Sequence, residues 1–319
     1  MKFLVTSIGS MSAEAVISRL VLLPDTEVIG CNMYPAPWVP ASRLVKRYYQ
    51  VSSAKEEAAY INQILKICRL EDVTHVIVLT DPEVDILSIY REEFNAVGVM
   101  LCIPPKLAVQ NARDKMSIYQ RFVNHPRIQP IKTIDIKEAR FMDFSWPLIA
   151  KPRWGRSSEG QVNIPDAGAL RFWGERLAEQ DYVVQPFHAG DVLVVDVVRQ
   201  YDSGVSVAMT RQELLRTTNG AGMAVRMLPG HVCGVQAAEA AEILDLQGCI
   251  NLEFLLVDGT PLLMDVNPRF SAGVAFSIRA GYDMVINHLH CFDGRSLEPY
   301  FPPANIVYTR GFVEYSIQD

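Results

Sequence analysis

Residues 251–269 read NLEFLLVDGTPLLMDVNPR, and this stretch predicts a β-hairpin. The Asp-Gly-Thr sequence at 258–260 is typical of a three-residue loop between two apolar strands. Counting back from that loop places Glu253 directly opposite Asp265, with their Cβ atoms about 5 Å apart on one face. Asn267 lies two residues beyond Asp265 and therefore shares the same face. A two-residue loop would break this pairing.

The two opposed carboxylates predict a metal site. Held this close, they repel each other unless a cation lies between them, and the neighbouring positions on both strands are apolar. Mg²⁺ takes hard oxygen ligands, usually one or two carboxylates together with nucleotide phosphates. We therefore predict Glu253, Asp265 and Asn267 as metal ligands, and Arg269 as a partner for a transferred phosphoryl group. A solvent-facing polar stripe on an ordinary hairpin is the alternative.

A second motif, PLIAKPR at 147–153, carries Lys151 at the end of a strand-like run. The sequence GRSSEG at 155–160 follows, and its glycines and serines offer backbone N–H groups and hydroxyls to a phosphate. It is not the P-loop motif, because G-x-x-x-x-G-K-[ST] is absent. A mobile surface loop is the alternative interpretation.

Two further groups of residues are candidates for ligand binding. The run YVVQPFHAGD at 182–191 ends a strand in polar residues, which suits adenine and ribose but also describes an ordinary turn. Arg211, Arg216 and Arg226 lie on strand-like segments. Any one of them could grip a substrate carboxylate, and the alternative for each is a surface ion pair.

The first hundred residues alternate strand-like and helix-like patterns. Residues 3–7, 28–32 and 75–79 are apolar strand candidates, which predicts a parallel, doubly wound sheet. The turn GSMS at 9–12 lacks the G-x-G-x-x-G fingerprint, which speaks against a Rossmann oxidoreductase using this domain. The stretch DPE at 81–83 follows a strand, where ligands of such sheets gather, so Asp81 or Glu83 could contact a substrate. The start of a capped helix is the alternative and the favoured interpretation.

The composition of the 319-residue chain is that of an ordinary globular protein, with 49% apolar and 21% charged residues. Its formal net charge of -6 argues against nucleic-acid or anionic-membrane partners. No apolar run approaches the roughly 20 residues of a membrane helix. The six scattered cysteines form no C-x-x-C pair, and we expect reduced, mostly buried thiols in a cytoplasmic protein.

Taken in order, these motifs resemble the ATP-grasp superfamily, most closely its carbamoyl-phosphate synthetase-like and amino-acid ligase branch. The order is Asp114-Lys115, Lys151 with its Gly/Ser loop, the Gln185 motif, and the acidic hairpin ending in Asn-Pro-Arg. The resemblance implies an α/β Rossmann-like pre-ATP-grasp domain followed by an α+β ATP-grasp fold. It divides the chain into the pre-ATP-grasp domain at 1–108, a central subdomain with the phosphate loop at 109–188, and a C-terminal subdomain with the metal site at 189–319.

The resemblance also implies roles for individual residues. ATP and Mg²⁺ would be the cofactors, with Mn²⁺ able to replace Mg²⁺. Lys151 and Arg269 would be catalytic, and Glu253, Asp265 and Asn267 would hold the metal. The nucleotide-binding residues would be Lys115, Lys151, Gly155, Ser157, Ser158, Gly160, Gln185, Pro186, Phe187, His188 and Asp191.

Two positions depart from the family pattern. Gln185 stands where the adenine hinge usually begins with Glu, and Val192 stands where an acidic ribose ligand is common, with Asp191 one place early. Both departures bear on nucleotide affinity. The predicted metal ligands, both lysines and Arg269 are present, which favours a working catalyst.

The function implied by the resemblance is an ATP- and Mg²⁺-dependent carboxylate–amine ligase. It would form an amide or peptide-like bond through an acyl phosphate and release ADP and phosphate. Its partners would be small-molecule carboxylates and amines, amino acids among them, and the protein would be a homodimer without nucleic-acid or membrane partners. The alternative is a non-catalytic nucleotide-binding or sensor protein on the same fold, which the altered hinge favours.

Overall fold

The computed structural model describes residues 1–139, 141–142, 144–156 and 158–316. Three sheets organise these residues: a five-stranded, a four-stranded and a seven-stranded sheet. Within the described ranges, no helix combines the length and the apolar character needed to cross a membrane.

The N-terminal domain is a parallel sheet with helices between its strands. Its strand order is β3-β2-β1-β4-β5, and every paired strand is parallel to its neighbour. The elements are β1 (Lys2–Val5), α1 (Ala13–Leu20), β2 (Glu27–Asn32), β3 (Arg47–Gln50), α2 (Glu57–Glu71), β4 (His75–Ile77), α3 (Asp81–Ile89), α4 (Arg91–Asn95) and β5 (Met100–Leu101), with 3₁₀ turns at Ala36–Trp38 and Pro40–Leu44. This is the predicted doubly wound arrangement, and its strand order reverses between β1 and β4.

Two helices and a small antiparallel sheet follow. The helices are α5 (Lys106–Arg113) and α6 (Lys115–Phe122), and a short strand β6 (Gln129–Pro130) leads on from them. The small sheet has the order β7-β10-β8-β9. Its elements are β7 (Ile134–Asp135), α7 (Ile136–Ala139), β8 (Leu148–Pro152), β9 (Val162–Ile164), α8 (Ala167–Arg176) and β10 (Tyr182–Pro186).

The seven-stranded sheet forms the rest of the chain and recruits β6 at one edge. Its order is β16-β13-β12-β11-β14-β15-β6, antiparallel except where β15 meets β6. The elements are β11 (Asp191–Arg199), β12 (Ser206–Arg216), β13 (Gly222–Met227), α9 (Val232–Ile243), β14 (Gly248–Val257), β15 (Thr260–Asn267), α10 (Val274–Arg279), α11 (Met284–Asp293) and β16 (Val307–Thr309).

The two faces of the seven-stranded sheet differ in what they bury. Along the central strands one face packs against α9, as the apolar cluster containing Leu252, Phe254 and Val266 shows. A second apolar cluster joins Phe3 of the N-terminal domain to Phe270 and to α11. The N-terminal domain is thereby held against the end of the sheet where the opposite, polar face opens.

Candidate active site

A cavity of about 380 Å³ lies where the three sheets meet. The N-terminal domain contributes the segments that follow β1 and β4, which are the carboxyl ends of parallel strands on either side of the point where the strand order reverses. Such a switch point is the usual ligand crevice of an open α/β sheet. The small sheet contributes the loop after β8, and the large sheet contributes its polar face.

The hairpin β14–β15 has a different turn from the predicted one. Val257 pairs with Thr260, so the loop has two residues, Asp258 and Gly259, both with positive φ. The prediction of a three-residue loop was therefore wrong. Positive φ at both central residues is typical of the type I′ turn, which Asp-Gly favours.

A β-bulge restores the pairing that the shorter loop would have broken. Phe254 pairs with Leu263, but Glu253 pairs with Asp265, and Met264 is the extra residue between them. Leu263 packs in the apolar core while Met264 and Asp265 both line the cavity. The bulge therefore moves Asp265 back onto the face of Glu253. The predicted opposition of the two carboxylates is observed, by a route that the sequence analysis did not foresee.

Each of the two carboxylates already has a cationic neighbour. Arg216 on β12 donates from Nη2 to Oε2 of Glu253 at 2.9 Å, and Nζ of Lys115 lies 3.8 Å from Oδ1 of Asp265. Burial raises the pKa of Glu253, which the Arg216 guanidinium opposes and the Asp265 carboxylate reinforces. Each carboxylate of the facing pair thus has a positive charge close to it.

The chemistry of these groups fits Mg²⁺. Asn267 donates from Nδ2 to Oδ1 of Asn251 at 3.2 Å. This contact uses the amide nitrogen, so the amide oxygen of Asn267 remains the atom that could bind a metal. Among the described residues, no group of three or more His, Cys, Asp or Glu side chains could hold a metal. Two carboxylates and an amide are nevertheless sufficient for Mg²⁺, because it usually completes its shell with water and nucleotide phosphates.

Two lysines stand beside this acidic pair. Lys115 begins α6 and donates from Nζ to the carbonyl oxygen of Gly155 at 3.1 Å, so it contacts the predicted phosphate loop. Lys151 on β8 is also in the cavity wall. Burial lowers the pKa of Lys151 to about 8, helped by the charge of Lys115 and opposed by Asp265 and Glu253.

The loop after β8 lies along the cavity for most of its length. Gly155 and Ser158 line the cavity, while Gly160 lines an adjoining groove. The predicted nucleotide contact at Ser157 lies outside the described residues. The loop is anchored at Arg153, which donates two hydrogen bonds to Asp114 at 2.6 and 2.5 Å.

Arg269 is held by the N-terminal domain. Its Nε and Nη2 donate to the two carboxylate oxygens of Asp81 at 2.9 and 2.6 Å, and Arg113 approaches the same carboxylate at 3.6 Å. Burial would raise the pKa of Asp81, but Arg269 and Arg113 outweigh it and hold the pKa below its ordinary value. Asp81 therefore lies in the cavity as an ion-pair partner, whereas Glu83 is buried in the domain interior against Thr6 and Tyr60.

The predicted adenine hinge stands apart from the cavity lining described so far. Gln185 is buried and donates to the hydroxyl of Thr133 at 2.8 Å, so its side chain is used within the protein. Asp191 accepts from Gln212 at 3.0 Å at the surface. None of the described residues from 185 to 191 lines the cavity, whereas Val192 and Val194, which come directly after them, do line it.

Arg211 was one of three open candidates for gripping a substrate carboxylate, and the structure gives it another place. It is fully buried, and its three nitrogens donate to Glu213, Asp196 and Ser271 at 3.1, 2.6 and 3.0 Å. A guanidinium with these partners has no open edge for a further bidentate contact. Glu213 and Asp196 were not predicted, and no local motif marks them.

Fold and cavity together define the class of ATP-grasp proteins, and comparison with known proteins agrees. Residues 4–102 match the family model of the PylC-like N-terminal domain, and residues 178–310 match the model described as ATP-grasp in the biosynthetic pathway with Ter operon. Residues 4–102 thus form a PylC-like N-terminal domain, and residues 178–310 belong to an ATP-grasp domain. The predicted family, the fold class and the enzyme class of ATP-dependent ligase are confirmed at that level.

Solved structures of the same fold are distant in sequence. N5-carboxyaminoimidazole synthetase from Staphylococcus aureus, complexed with ADP, has a TM-score of 0.73 at 14% identity, over 97% of this chain and 79% of that one. The biotin carboxylase domain of the Hydrogenobacter thermophilus 2-oxoglutarate carboxylase, a dimer in complex with MgADP, has a TM-score of 0.76 at 12% identity, over 93% of this chain and 70% of that one. L-amino acid ligase from Bacillus licheniformis has a TM-score of 0.69 at 16% identity, over 91% of this chain and 74% of that one.

One further neighbour is much longer than this chain. The chain spans 29% of the Rhizobium etli pyruvate carboxylase, which has a TM-score of 0.75 at 15% identity. No curated protein matches the sequence. At these identities the neighbours establish the fold, and the choice of substrates must be argued from the cavity itself.

Proposed function

We propose that this protein is a carboxylate–amine ligase that uses ATP and Mg²⁺ to form an amide or peptide-like bond. The observation that carries the proposal is the facing pair Glu253 and Asp265, which lines one cavity together with Lys115, Lys151 and Arg269. Phosphoryl transfer depends mainly on positioning and charge neutralisation, and this is a set of charges suited to both.

In this proposal each group has a defined task. Glu253, Asp265 and Asn267 hold Mg²⁺, which when bound neutralises charge on the nucleotide phosphates. Lys115, Lys151 and the loop at 155–160 bind phosphate oxygens. The substrate carboxylate attacks the γ-phosphate, the bond to the β-phosphate oxygen breaks, ADP leaves, and an acyl phosphate results. An amine then attacks the acyl carbon, loses a proton and displaces phosphate to form the C–N bond.

Arg216 and Arg269 complete the charge arrangement. Both guanidiniums are already in the cavity wall, paired with Glu253 and Asp81 respectively. With Glu253 engaged as a metal ligand, Arg216 would be free to contact an oxygen of the acyl phosphate. Arg269 would make the corresponding contact to the transferred phosphoryl group.

The neighbours support the substrate and cofactor classes without naming those of this chain. An L-amino acid ligase has the same fold, and two other neighbours bind ADP or MgADP. We propose small carboxylates and amines, including amino acids, as substrates, with Mn²⁺ as a substitute metal. The adenine hinge at Gln185–His188, ribose binding by Asp191, a homodimer and a cytoplasmic location stay predictions.

Nucleotide turnover is the measurement that tests the proposal. Purified protein is incubated with ATP, Mg²⁺ and pooled amino acids and small carboxylates, and products are identified by mass spectrometry. We expect ADP, phosphate and a new amide mass. Asp265→Asn should lower turnover at least about 100-fold, because it removes one of the two metal carboxylates.

Asp258→Asn is the matched control, since Asp258 is an exposed turn residue of the same hairpin and Asn also tolerates positive φ. It should leave turnover unchanged. ATP binding without turnover by the unmodified protein, in the presence of every substrate pool, would contradict the ligase. It would favour a nucleotide sensor, a function consistent with the internal use of Gln185.

A further inference from the structure

A row of three polar side chains crosses the large sheet beside Glu253 and Asp265. Asn251 on β14 lies directly opposite Asp196 on β11 on one side and opposite Asn267 on β15 on the other. Because Asn251 precedes Glu253 by two residues, this row shares the face that carries the two facing carboxylates. All three residues of the row are buried, and the proposed function gives a task only to Asn267.

The amide of Asn267 can serve the metal in only one orientation. Its oxygen is a ligand for Mg²⁺, whereas its NH₂ group would point hydrogens at the cation. The nitrogen is already engaged, since Nδ2 donates to Oδ1 of Asn251 at 3.2 Å. The useful orientation of Asn267 therefore depends on Asn251 presenting an oxygen to it.

Asn251 has the same ambiguity, because its own amide has a donor end and an acceptor end. If Asn251 turned its nitrogen toward Asn267, two NH₂ groups would meet and could not bond. Asn267 would then turn its oxygen inward to accept, and its nitrogen would face the metal. A third group is needed to keep the nitrogen of Asn251 on the side away from Asn267.

Asp196, the other cross-strand neighbour of Asn251, is such a group. An ionised carboxylate only accepts hydrogen bonds, so it attracts an amide nitrogen and repels an amide oxygen. Asp196 is held in a buried ion pair by Arg211, whose Nη1 donates to Oδ2 at 2.6 Å. The hydroxyl of Ser277 donates to the same oxygen at 2.7 Å. Neither bond uses Oδ1.

One acceptor and one donor in this row, Oδ1 of Asp196 and Nδ2 of Asn251, are buried without a hydrogen-bond partner among the described residues. The Cβ atoms of directly opposed residues are about 5 Å apart, which is within reach of a side-chain hydrogen bond. A buried polar atom without a partner is costly. A small rotation of either side chain would satisfy both atoms at once.

We propose that the buried ion pair of Arg211 and Asp196 sets the orientation of the metal ligand Asn267. In this relay Asp196 accepts from Nδ2 of Asn251, and Asn251 accepts from Nδ2 of Asn267, so both amide nitrogens point away from the metal. Arg211, Asp196 and Asn251 are positioning residues, because they act through Asn267 and bind neither metal nor substrate. The inference rests on the metal-binding role of Asn267 in the proposed function.

Mn²⁺ binding tests the relay without requiring turnover. Electron paramagnetic resonance measures free Mn²⁺ in titrations of the nucleotide-free protein, and thermal unfolding of the same samples reports on folding. Asn251→Leu removes the acceptor for Asn267 with little change in side-chain volume. We expect the Mn²⁺ dissociation constant to rise about tenfold or more, as is usual when a group that orients a ligand is lost. Asn163→Leu, the same change at an exposed position of β9, should leave it unchanged.

A second pair of variants separates the relay from a general effect of charge or stability. Asp196 and Glu213 both form ion pairs with Arg211, and both are buried carboxylates, but only Asp196 lies opposite Asn251. Asp196→Asn and Glu213→Gln thus remove the same charge from the same arginine. We expect Asp196→Asn to raise the Mn²⁺ dissociation constant about tenfold and Glu213→Gln to raise it much less.

The relay is overturned if Asn251→Leu leaves the Mn²⁺ affinity unchanged in a folded protein, or if Asp196→Asn and Glu213→Gln weaken binding equally. Asp265→Asn in the same titration separates this failure from failure of the metal site. Mn²⁺ binding that does not respond to Asp265→Asn would contradict both the metal site and the relay. Mn²⁺ binding that responds as expected, in a protein that gives no product with any substrate pool, would contradict the ligase and leave the relay standing.

Discussion

Lys151 is a cavity lysine whose charge state changes at a pH only slightly above neutral. Burial and the neighbouring Lys115 lower its pKa to about 8, so below that pH it is mostly protonated and above it mostly neutral. A neutral lysine cannot attract a phosphate. Nucleotide affinity should therefore fall as pH rises through about 8.

We expect the nucleotide dissociation constant to rise roughly tenfold between pH 8 and 9.5, as measured by calorimetry across that range. Lys151→Arg should flatten this profile, since a guanidinium stays protonated throughout. An equally flat profile for the unmodified protein would show that the charge of Lys151 does not bind phosphate.

Arg216 is expected to weaken metal binding by Glu253 and Asp265 before any nucleotide is bound. Its contact with Glu253 offsets one of the two carboxylates. Arg216→Gln should therefore tighten Mn²⁺ binding by the nucleotide-free protein several-fold, because the cation no longer competes with the metal. The same variant should lower ligase turnover. Electron paramagnetic resonance of free Mn²⁺ measures the first effect.

Arg226→Gln is the control for Arg216, because Arg226 lies exposed on the neighbouring strand β13. Its removal changes the net charge of the protein equally and should leave the Mn²⁺ affinity unchanged. If both variants bind Mn²⁺ alike, the contact between Arg216 and Glu253 does not govern the site.

At the scale of elements, the hairpin shows what sequence can and cannot predict. The residue types and the alternation of apolar positions were enough to bring Glu253, Asp265 and Asn267 to one face. The turn was misjudged because Thr260, a β-branched residue, joins the strand and leaves Asp-Gly as a two-residue turn. The bulge at Met264 depends on packing of Leu263 in the core, which no local pattern reveals.

Contacts between distant elements were beyond sequence reasoning for a related cause. Asp81 and Arg269 are 188 residues apart, and Arg216 and Glu253 are 37 apart. Each contact depends on how sheets are placed against each other, and one sequence contains no signal for that placement. The three arginines could not be ranked as substrate-binding candidates from sequence alone. Only the strand pairing places Arg211 in the protein interior and Arg216 beside Glu253.

At the scale of the whole molecule, Asp81 ties the N-terminal domain to the end of the metal hairpin. Asp81→Asn should leave Arg269 and Arg113 without their shared carboxylate and reduce the free energy of unfolding by about 3–5 kcal/mol. Because the pKa of Asp81 is lowered in the folded protein, its contribution is present above its ordinary pKa and is lost as pH falls below it. Thermal unfolding at neutral and acid pH measures both effects.

Asp85→Asn is the matched change on the same helix α3. Asp85 is 41% exposed and contacts only Arg113 at 3.1 Å among the described ion pairs, so its loss should cost less than about 1 kcal/mol. Equal melting temperatures for the two variants would show that the link between Asp81 and Arg269 adds no stability.

The two-residue turn and the bulge at Met264 also restrict which insertions and deletions this hairpin can accept in evolution. A residue inserted into the turn would shift Asp265 away from Glu253, and loss of the bulge residue would shift it back. Insertions and deletions in this hairpin should therefore occur in compensating pairs. The number of residues between the two carboxylates would then stay constant while the length of the turn varies. Aligning distant relatives on that separation, and placing gaps in the turn and at position 264, should recover the matching carboxylates where overall identity is too low to guide an alignment.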